Sequence, residues 1–440
     1  MLARLKQYNH LLKYGVAAII LSVLLYPKFP FLRIPGISVS IRLEDLVVFG
    51  VFLFWLITSL NVKTFFKDKI NLAILLFFGV GLVSVLAGIF LTDTVEPHIG
   101  LLHWGRRVEY LSIFFIGISA VKKKEDLYFY LKLLLIVVVL AFFYGLGQRY
   151  FKIPIITTQN QEYARGIALR WREGAHLVST FAGHYDLASF LILLFPAIYL
   201  FLFSKTDTLR KLIPKTNIII IRTILVSVTL MALWLLTQSA SRISLVSYLG
   251  SSVLALILAG KKKFIPVIVL LSFVFASLSM NLVDRYLNFV DVYAAGEELP
   301  LETIAPEPVV EDRSTSIRLN VEWPRAIRAL TKNPITGTGY SSITLATDND
   351  YLRMLGETGL LGFGSFWLAF GLIILTIIKK FPKAEGPETL FIIGVFSAIS
   401  GVLLNMVFID LLEASKFAIA FWLILGFVVG LVKDYDKEIS

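Results

Sequence analysis

Long apolar segments separated by short charged loops dominate the chain. A helix needs about 20 apolar residues to cross the hydrocarbon core of a bilayer. The candidate spans are 13–27, 43–60, 70–91, 105–121, 128–148, 184–203, 217–236, 243–260, 264–282, 356–378, 388–409 and 414–432. The pattern predicts an all-α, polytopic integral membrane protein with about twelve transmembrane helices, a large outer loop containing short amphipathic helices, and both termini on one side.

The loops on the two sides differ in their basic residues. Threading the chain through these spans leaves 19 Lys and 2 Arg on one side and 15 Arg and 4 Lys on the other, with Lys132 and Arg222 near helix ends. Lysine-rich short loops mark the cytoplasmic side, so both termini are expected there. Because the arginine fork binds phosphate or carboxylate in a bidentate manner, its concentration outside favours an anionic, phosphorylated substrate.

Composition excludes several kinds of chemistry. The sequence has 57% hydrophobic residues and a mean hydropathy of +0.78, and it contains no cysteine, which rules out disulfides, thiol catalysis and thiolate metal sites. The net charge of +11 suits contact with anionic membrane lipids. The first apolar segment, 15–26, precedes a charged loop rather than a cleavage site, so it is expected to stay as a helix.

Two predicted outer loops, 149–183 and 281–355, are too long for simple connectors. Within the second, 297–312 is rich in proline and acidic residues and is expected to form a flexible flap. The stretch 314–330 has a helical pattern, with Pro324 expected to kink the helix or to start a second one. Its charged residues share one face: Arg318, Glu322, Arg325 and Arg328.

Two polar segments on the predicted outer side contain an arginine that could bind an anion. Gln-Ser-Ala-Ser-Arg ends at Arg242, at the mouth of two spans, where an arginine is costly unless it is paired, faces water or reaches lipid phosphate. Arg318 and Trp323 lie on the loop helix, which could also be a solvated amphipathic helix on the membrane surface.

Two further segments carry candidate acids and bases. In Asn-Pro-Ile-Thr-Gly-Thr-Gly-Tyr (333–340) the glycines allow a tight turn, and Asp-Asn-Asp (348–350) precedes a helix expected to begin near Tyr351. The acids could cap that helix, act as a general base, or hold a divalent metal through the Asp-x-Asp pattern. The segment 179–188 contains His184 and Asp186, a plausible shared polar site.

These segments, in this order, resemble the O-antigen ligase and polymerase superfamily of the bacterial cell envelope. The resembling region runs from about 179 to 375 and includes the Ser-x-Ser-Arg element, the Arg318 and Trp323 helix, the turn at 333–339 and the Asn-x-Tyr-Leu run at 349–362. The resemblance implies metal-independent, inverting transfer of a glycan from undecaprenyl diphosphate to a sugar hydroxyl on a glycan or a lipid-linked glycan. It implies no cofactor and no nucleic-acid partner, and it implies the bacterial inner membrane.

The resemblance also assigns roles to residues. Arg242 and Arg318 would hold the diphosphate, with Arg165 and Arg172 as further candidates. The family's histidine before the Asn-x-Tyr-Leu run is replaced by Asp348, so the catalytic base would be Asp348 or another residue such as His184.

Two other functions are compatible with the sequence. A transporter or flippase of a lipid-linked saccharide would carry charges in the middle of several spans and paired broken helices, whereas here polar residues gather on one side. A shape-determining or cell-division type peptidoglycan polymerase would also use a lipid diphosphate donor. We expect N-terminal helices in 1–178, a ligase-like or polymerase-like core in 179–378 and two C-terminal helices in 379–440.

Overall fold

A computed structural model describes residues 2–27, 30–33, 40–155, 175–214, 216–279, 316–344, 346–379, 381 and 386–439 of the chain. Fifteen α-helices lie in these ranges. They are α1 (Leu2–Leu25), α2 (Leu43–Thr58), α3 (Val62–Phe65), α4 (Lys69–Phe90), α5 (Pro97–Ala120), α6 (Lys124–Phe151), α7 (His184–Leu202), α8 (Thr206–Leu212), α9 (Ile218–Gln238), α10 (Arg242–Leu258), α11 (Ile265–Ser277), α12 (Trp323–Lys332), α13 (Asp350–Lys379), α14 (Pro387–Asn405) and α15 (Ser415–Ile439).

Seven helices in the described part of the chain are long and apolar enough to cross a bilayer. They are α4, α6, α7, α9, α13, α14 and the part of α15 from Ser415 to Lys433. The chain is therefore a multi-pass membrane protein. Each of the twelve predicted spans overlaps a helix, but membrane crossing by all twelve stays a prediction.

The centre of the bundle is formed by α7 and α15. The apolar window of α15 is 100% buried within the protein and that of α7 is 83% buried, whereas the window of α6 is 33% buried. Along α15, the backbones approach closely where it packs on α5: a Cβ on Gly117 would lie 2.6 Å from the carbonyl oxygen of Leu423. Small residues allow such close helix contacts in membranes, where packing replaces the hydrophobic effect.

Three local features refine the all-helical prediction. A short antiparallel ribbon, β1 (Pro30–Arg33) with β2 (Ser40–Arg42), lies where the sequence predicted only a loop. Helix α13 is interrupted at Gly359, which has φ 64° and ψ −170°. A π-helical turn at Arg318–Glu322 leads into α12, and Pro324 lies in the first turn of α12, in agreement with the expected second helix.

Candidate functional site

The polar segments selected from the sequence converge at one end of the bundle. The amide of Leu177 donates to the carbonyl of Gln238 at the end of α9 (3.0 Å). The amide of Asp350, at the start of α13, donates to the carbonyl of Met406 just after α14 (2.9 Å). The fully buried ammonium of Lys416 donates to the Thr180 carbonyl (2.7 Å). Segments far apart in the chain thus build one polar region.

Arg318 binds Asp348 within this region. Its Nε and Nη2 atoms lie 3.1 and 2.7 Å from the same carboxylate oxygen, and Nη2 also lies 3.4 Å from the Tyr185 hydroxyl. The side chains of Arg318 and Asp348 are 11% and 24% exposed. The loop helix, the start of α7 and the loop before α13 therefore meet at one guanidinium group.

Burial and charge act in opposite directions on Asp348. Burial raises the pKa of this carboxyl and the neighbouring Arg318 lowers it, with a net upward shift. The φ of Asp348 is 49°, a left-handed conformation that non-glycine residues seldom adopt, although aspartate is among the more tolerant. Such backbone positions are maintained only by their surroundings.

Two carboxylates hold the loop that carries Asp348. Asp410, between α14 and α15, accepts hydrogen bonds from the amides of Thr347 (2.8 Å) and Asn349 (3.0 Å). In return, Asp350 accepts from the amide of Leu411 (2.8 Å). The reciprocal pairs clamp the two loops together, and Asp348 projects from the clamp toward Arg318.

The three residues 348–350 have separate roles. Asn349 accepts from the amide of Leu352 (2.9 Å) and so caps α13, which begins at Asp350, one residue before the expected start. The carboxylate of Asp350 is used by backbone amides and that of Asp348 by Arg318. This division of contacts gives no support to a shared Asp-x-Asp metal site.

A buried ionic network holds Asp410, one of the two carboxylates of the clamp. Arg353 pairs with Asp410 (2.9 Å), Glu413 (3.2 Å) and Glu357 (3.5 Å). Arg107 of α5 pairs with Glu413 and donates to the Leu412 carbonyl (2.8 Å). Buried charges require such pairing, and the network fixes the turn between α14 and α15.

The glycine-containing turn at 333–339 docks into the break of α13. Four backbone hydrogen bonds of 2.8–3.1 Å join the two segments, from the amides of Thr338, Gly339, Leu360 and Leu361 to the carbonyls of Gly356, Glu357, Pro334 and Ile335. Gly337 has φ +72°, and a Cβ on it would lie 2.4 Å from Glu357. The expected tight turn is confirmed, and its role is structural because it supplies hydrogen bonds that the interrupted helix lacks.

Arg242 is the half-buried first residue of α10, whose first two turns contribute Ser244 and Ser247 to a buried polar cluster. Asn405, at the end of α14, donates to the hydroxyls of Ser189 and Ser244 (both 3.0 Å) and accepts from Ser247 (2.9 Å). These bonds tie α7, α10 and α14 together and fix the start of α10. They give the Ser-x-Ser-Arg element a defined position at the polar end of the bundle.

His184 begins α7 beside Tyr185. Its ring centroid lies 4.5 Å from that of His176 and 4.0 Å from that of Tyr185. The predicted partnership of His184 with Asp186 stays a prediction, since the described ring contacts of His184 go to other residues. Arg165 and Arg172 lie outside the described residues.

Several residues of this region were not selected from the sequence. Charges within apolar segments are the signal that could have identified Arg107, Arg353 and Asp410. Tyr185 lies beside His184 and offered no signal of its own. Glu322 was placed on the arginine-bearing face but received no role.

Comparison with known proteins agrees with these features. The sequence pattern of the O-antigen ligase family matches residues 225–367, which include Arg242, Arg318 and Asp348. None of the curated proteins matches the chain significantly. The family implies a glycosyltransferase-like enzyme of cell-envelope polysaccharide assembly. This multi-pass membrane protein therefore contains a region, residues 225–367, that matches the O-antigen ligase family.

Proposed function

We propose that this protein transfers or polymerises a glycan, taking it from undecaprenyl diphosphate and joining it to a sugar hydroxyl on a glycan or a lipid-linked glycan. The reaction takes place at the outer face of the bacterial cytoplasmic membrane, and both termini lie in the cytoplasm. The observation that carries the proposal is the convergence of Arg318, Asp348 and Tyr185 at the polar end of the bundle.

The chemistry requires charge stabilisation on the leaving group. As the acceptor oxygen attacks the anomeric carbon and the carbon–oxygen bond to phosphate breaks, negative charge develops on the diphosphate. A fixed guanidinium aimed at that oxygen stabilises the transition state without a metal. Arg318, already bound to a carboxylate through two nitrogens, has the geometry to bind an anion, and Arg242 supplies a second cation. Arg165 and Arg172 remain further candidates for diphosphate binding.

The sequence proposes Asp348 and His184 as the groups that activate the acceptor hydroxyl. Both flank Tyr185 and Arg318, His184 by ring contact and Asp348 by ion pair. Attack on the face opposite the leaving group would invert the anomeric configuration. An Asp348→Ala variant with full transfer activity would remove Asp348 from this role.

Purified protein in liposomes, supplied with a synthetic polyprenyl-diphosphate oligosaccharide, tests the proposal through release of free polyprenyl diphosphate. Release with lengthened glycans in the presence of a chelator would indicate a metal-independent polymerase, and release only with an added acceptor would indicate a ligase. Chelator-sensitive release would contradict the metal-independent step. Movement of the intact lipid between leaflets without release would favour the transporter or flippase.

A further inference from the structure

The carboxylates around Arg318 differ in how completely their oxygens are used. Asp348 is bound by Arg318, Asp410 by two backbone amides and Arg353, and Asp350 by the amides of Leu411 and Leu412. A carboxylate oxygen that already accepts hydrogen bonds from a cation or from backbone amides is occupied, so it is less available to accept a proton from a substrate hydroxyl.

Glu322 is the exception among these carboxylates. It ends the π-helical turn that Arg318 begins, and its Oε2 atom is buried without a hydrogen-bond partner in the described part of the protein. Two neighbours on the same helix share this property: the Nε1 of Trp323 and the Nη1 of Arg325. Buried polar atoms are normally satisfied, so three exceptions within the four residues 322–325 point to a ligand that completes them.

The surroundings of these atoms suit a sugar. The Trp323 ring lies 6.3 Å from that of Phe408, in the turn that carries Asp410. An aromatic face together with indole and guanidinium donors and a carboxylate acceptor matches the alternating apolar faces and hydroxyls of a saccharide. The ligand of this group would be the acceptor sugar, because the adjacent Arg318 already serves the diphosphate.

We infer that Glu322, in place of Asp348 or His184, takes the proton from the acceptor hydroxyl in the proposed transfer. In that step the acceptor oxygen bonds to the anomeric carbon, the bond from that carbon to the diphosphate oxygen breaks, the leaving electron pair stays on the diphosphate beside Arg318, and the proton passes to the Glu322 carboxylate. Asp348 then orients Arg318 until the diphosphate replaces it. The inference rests on the proposed function.

The electrostatic setting agrees with this role. Burial raises the pKa of Glu322 to about 7, the nearby carboxylates of Asp348 and Asp410 add to the increase, and Arg318 and Arg325 oppose it. A base with a pKa near the working pH combines a useful deprotonated fraction with the ability to accept a proton. Transfer should therefore increase as the pH rises through about 7.

The test uses the full-length protein in liposomes with the synthetic polyprenyl-diphosphate oligosaccharide, comparing wild type, Glu322→Gln and Asn320→Ala. Asn320 is the matched control because it is exposed in the same helical turn. We expect Glu322→Gln to lower kcat by about 10²–10⁴-fold, to leave KM for the donor within a few fold, and to abolish the rise in rate near pH 7. Asn320→Ala should match wild type. A Glu322→Asp variant should keep the rise in rate at a reduced kcat.

Three results would overturn the inference. One is a Glu322→Gln variant with the wild-type rate and pH profile. Another is an equal loss in Glu322→Gln and Asn320→Ala, which would indicate damage to the helix. The third is abolition of the pH dependence by Asp348→Asn alone. Wild-type protein that releases no polyprenyl diphosphate would instead refute the proposed function itself, so the two failures are distinguishable.

Discussion

The docking of the 333–339 turn into the break of α13 leads to a quantitative prediction for Gly359→Ala. The φ of 64° and ψ of −170° at Gly359 belong to a region that is essentially restricted to glycine. A Cβ there would lie 2.4 Å from the carbonyl oxygen of Ile335 and 2.5 Å from the amide nitrogen of Gly337, so backbone atoms would have to move. Alanine at position 359 would therefore strain the local backbone and clash with the docked turn.

The cost can be built from two contributions. Forcing a side chain into this backbone region costs about 1–3 kcal/mol. Moving Ile335 away weakens the adjacent hydrogen bonds from Leu360 (2.9 Å) and Leu361 (3.1 Å), each contributing about 0.5–1.5 kcal/mol. Together these give a destabilisation of about 2–6 kcal/mol. Because the same turn is bonded to the first segment of α13, which begins directly after Asn349, the loss should extend to Asp348 and to transfer activity.

The assay is the apparent melting temperature of purified protein in detergent, followed by the transfer rate in liposomes. Gly364→Ala is the matched control, because Gly364 lies in the same helix and a Cβ on it meets no atom within 4 Å. The control should be neutral or slightly stabilising, since alanine is favoured over glycine in a helix by about 0.5–1 kcal/mol. If the Gly359→Ala protein has the same apparent melting temperature as the Gly364→Ala protein and transfers glycan at the wild-type rate, the structural role of the turn is refuted.

Three further predictions concern charged groups. Arg318→Lys should lower the transfer rate at least about tenfold, because a point charge cannot reproduce the contact made by two guanidinium nitrogens. Arg328 is exposed on the same helix, so Arg328→Lys should match wild type in the same liposome assay. Equal rates in both variants would make Arg318 a lipid anchor. Asp410→Asn removes the charge that binds two amides and Arg353, so it should lower the free energy of unfolding by about 1–3 kcal/mol and reduce transfer. The control Asp93→Asn, at an exposed position, should change neither quantity. Lys416→Met leaves the carbonyls of Tyr26 and Thr180 without their donor, so a lower melting temperature is expected. An unchanged melting temperature would contradict the stabilising role of these two hydrogen bonds.

The helices and their types could be predicted because their causes are local. A run of apolar residues predicts a membrane helix wherever it is long enough, and Pro324 limits the start of α12 through its own ring and missing amide hydrogen. The break in α13 was not predicted: Gly359 lies in an otherwise helical sequence, and its conformation depends on hydrogen bonds from a turn some 20 residues earlier. The ribbon β1–β2 was likewise missed because its pairing joins residues that are not adjacent in the chain.

The candidate site was likewise only partly predictable from the sequence. Arg242, Arg318 and Asp348 could be selected because their residue types and order carry information about anion binding and match a family pattern. The contacts that surround these residues could not be predicted from the sequence. Asp348 is bound by a residue 30 positions away, and the loop that holds it is clamped by Asp410, more than 60 positions away.

The sequence by itself determined the membrane class and the position of most helices, and it selected the small set of arginines that we propose for diphosphate binding, because hydropathy and side-chain chemistry are properties of the residues themselves. The tertiary structure alone decided that Arg318 holds Asp348, that the glycine turn completes a broken helix, and that Glu322 keeps an unused carboxylate oxygen. Pairing, burial and the pKa shifts that follow from them depend on which distant segments pack together, and the order of residues along the chain does not state those distances.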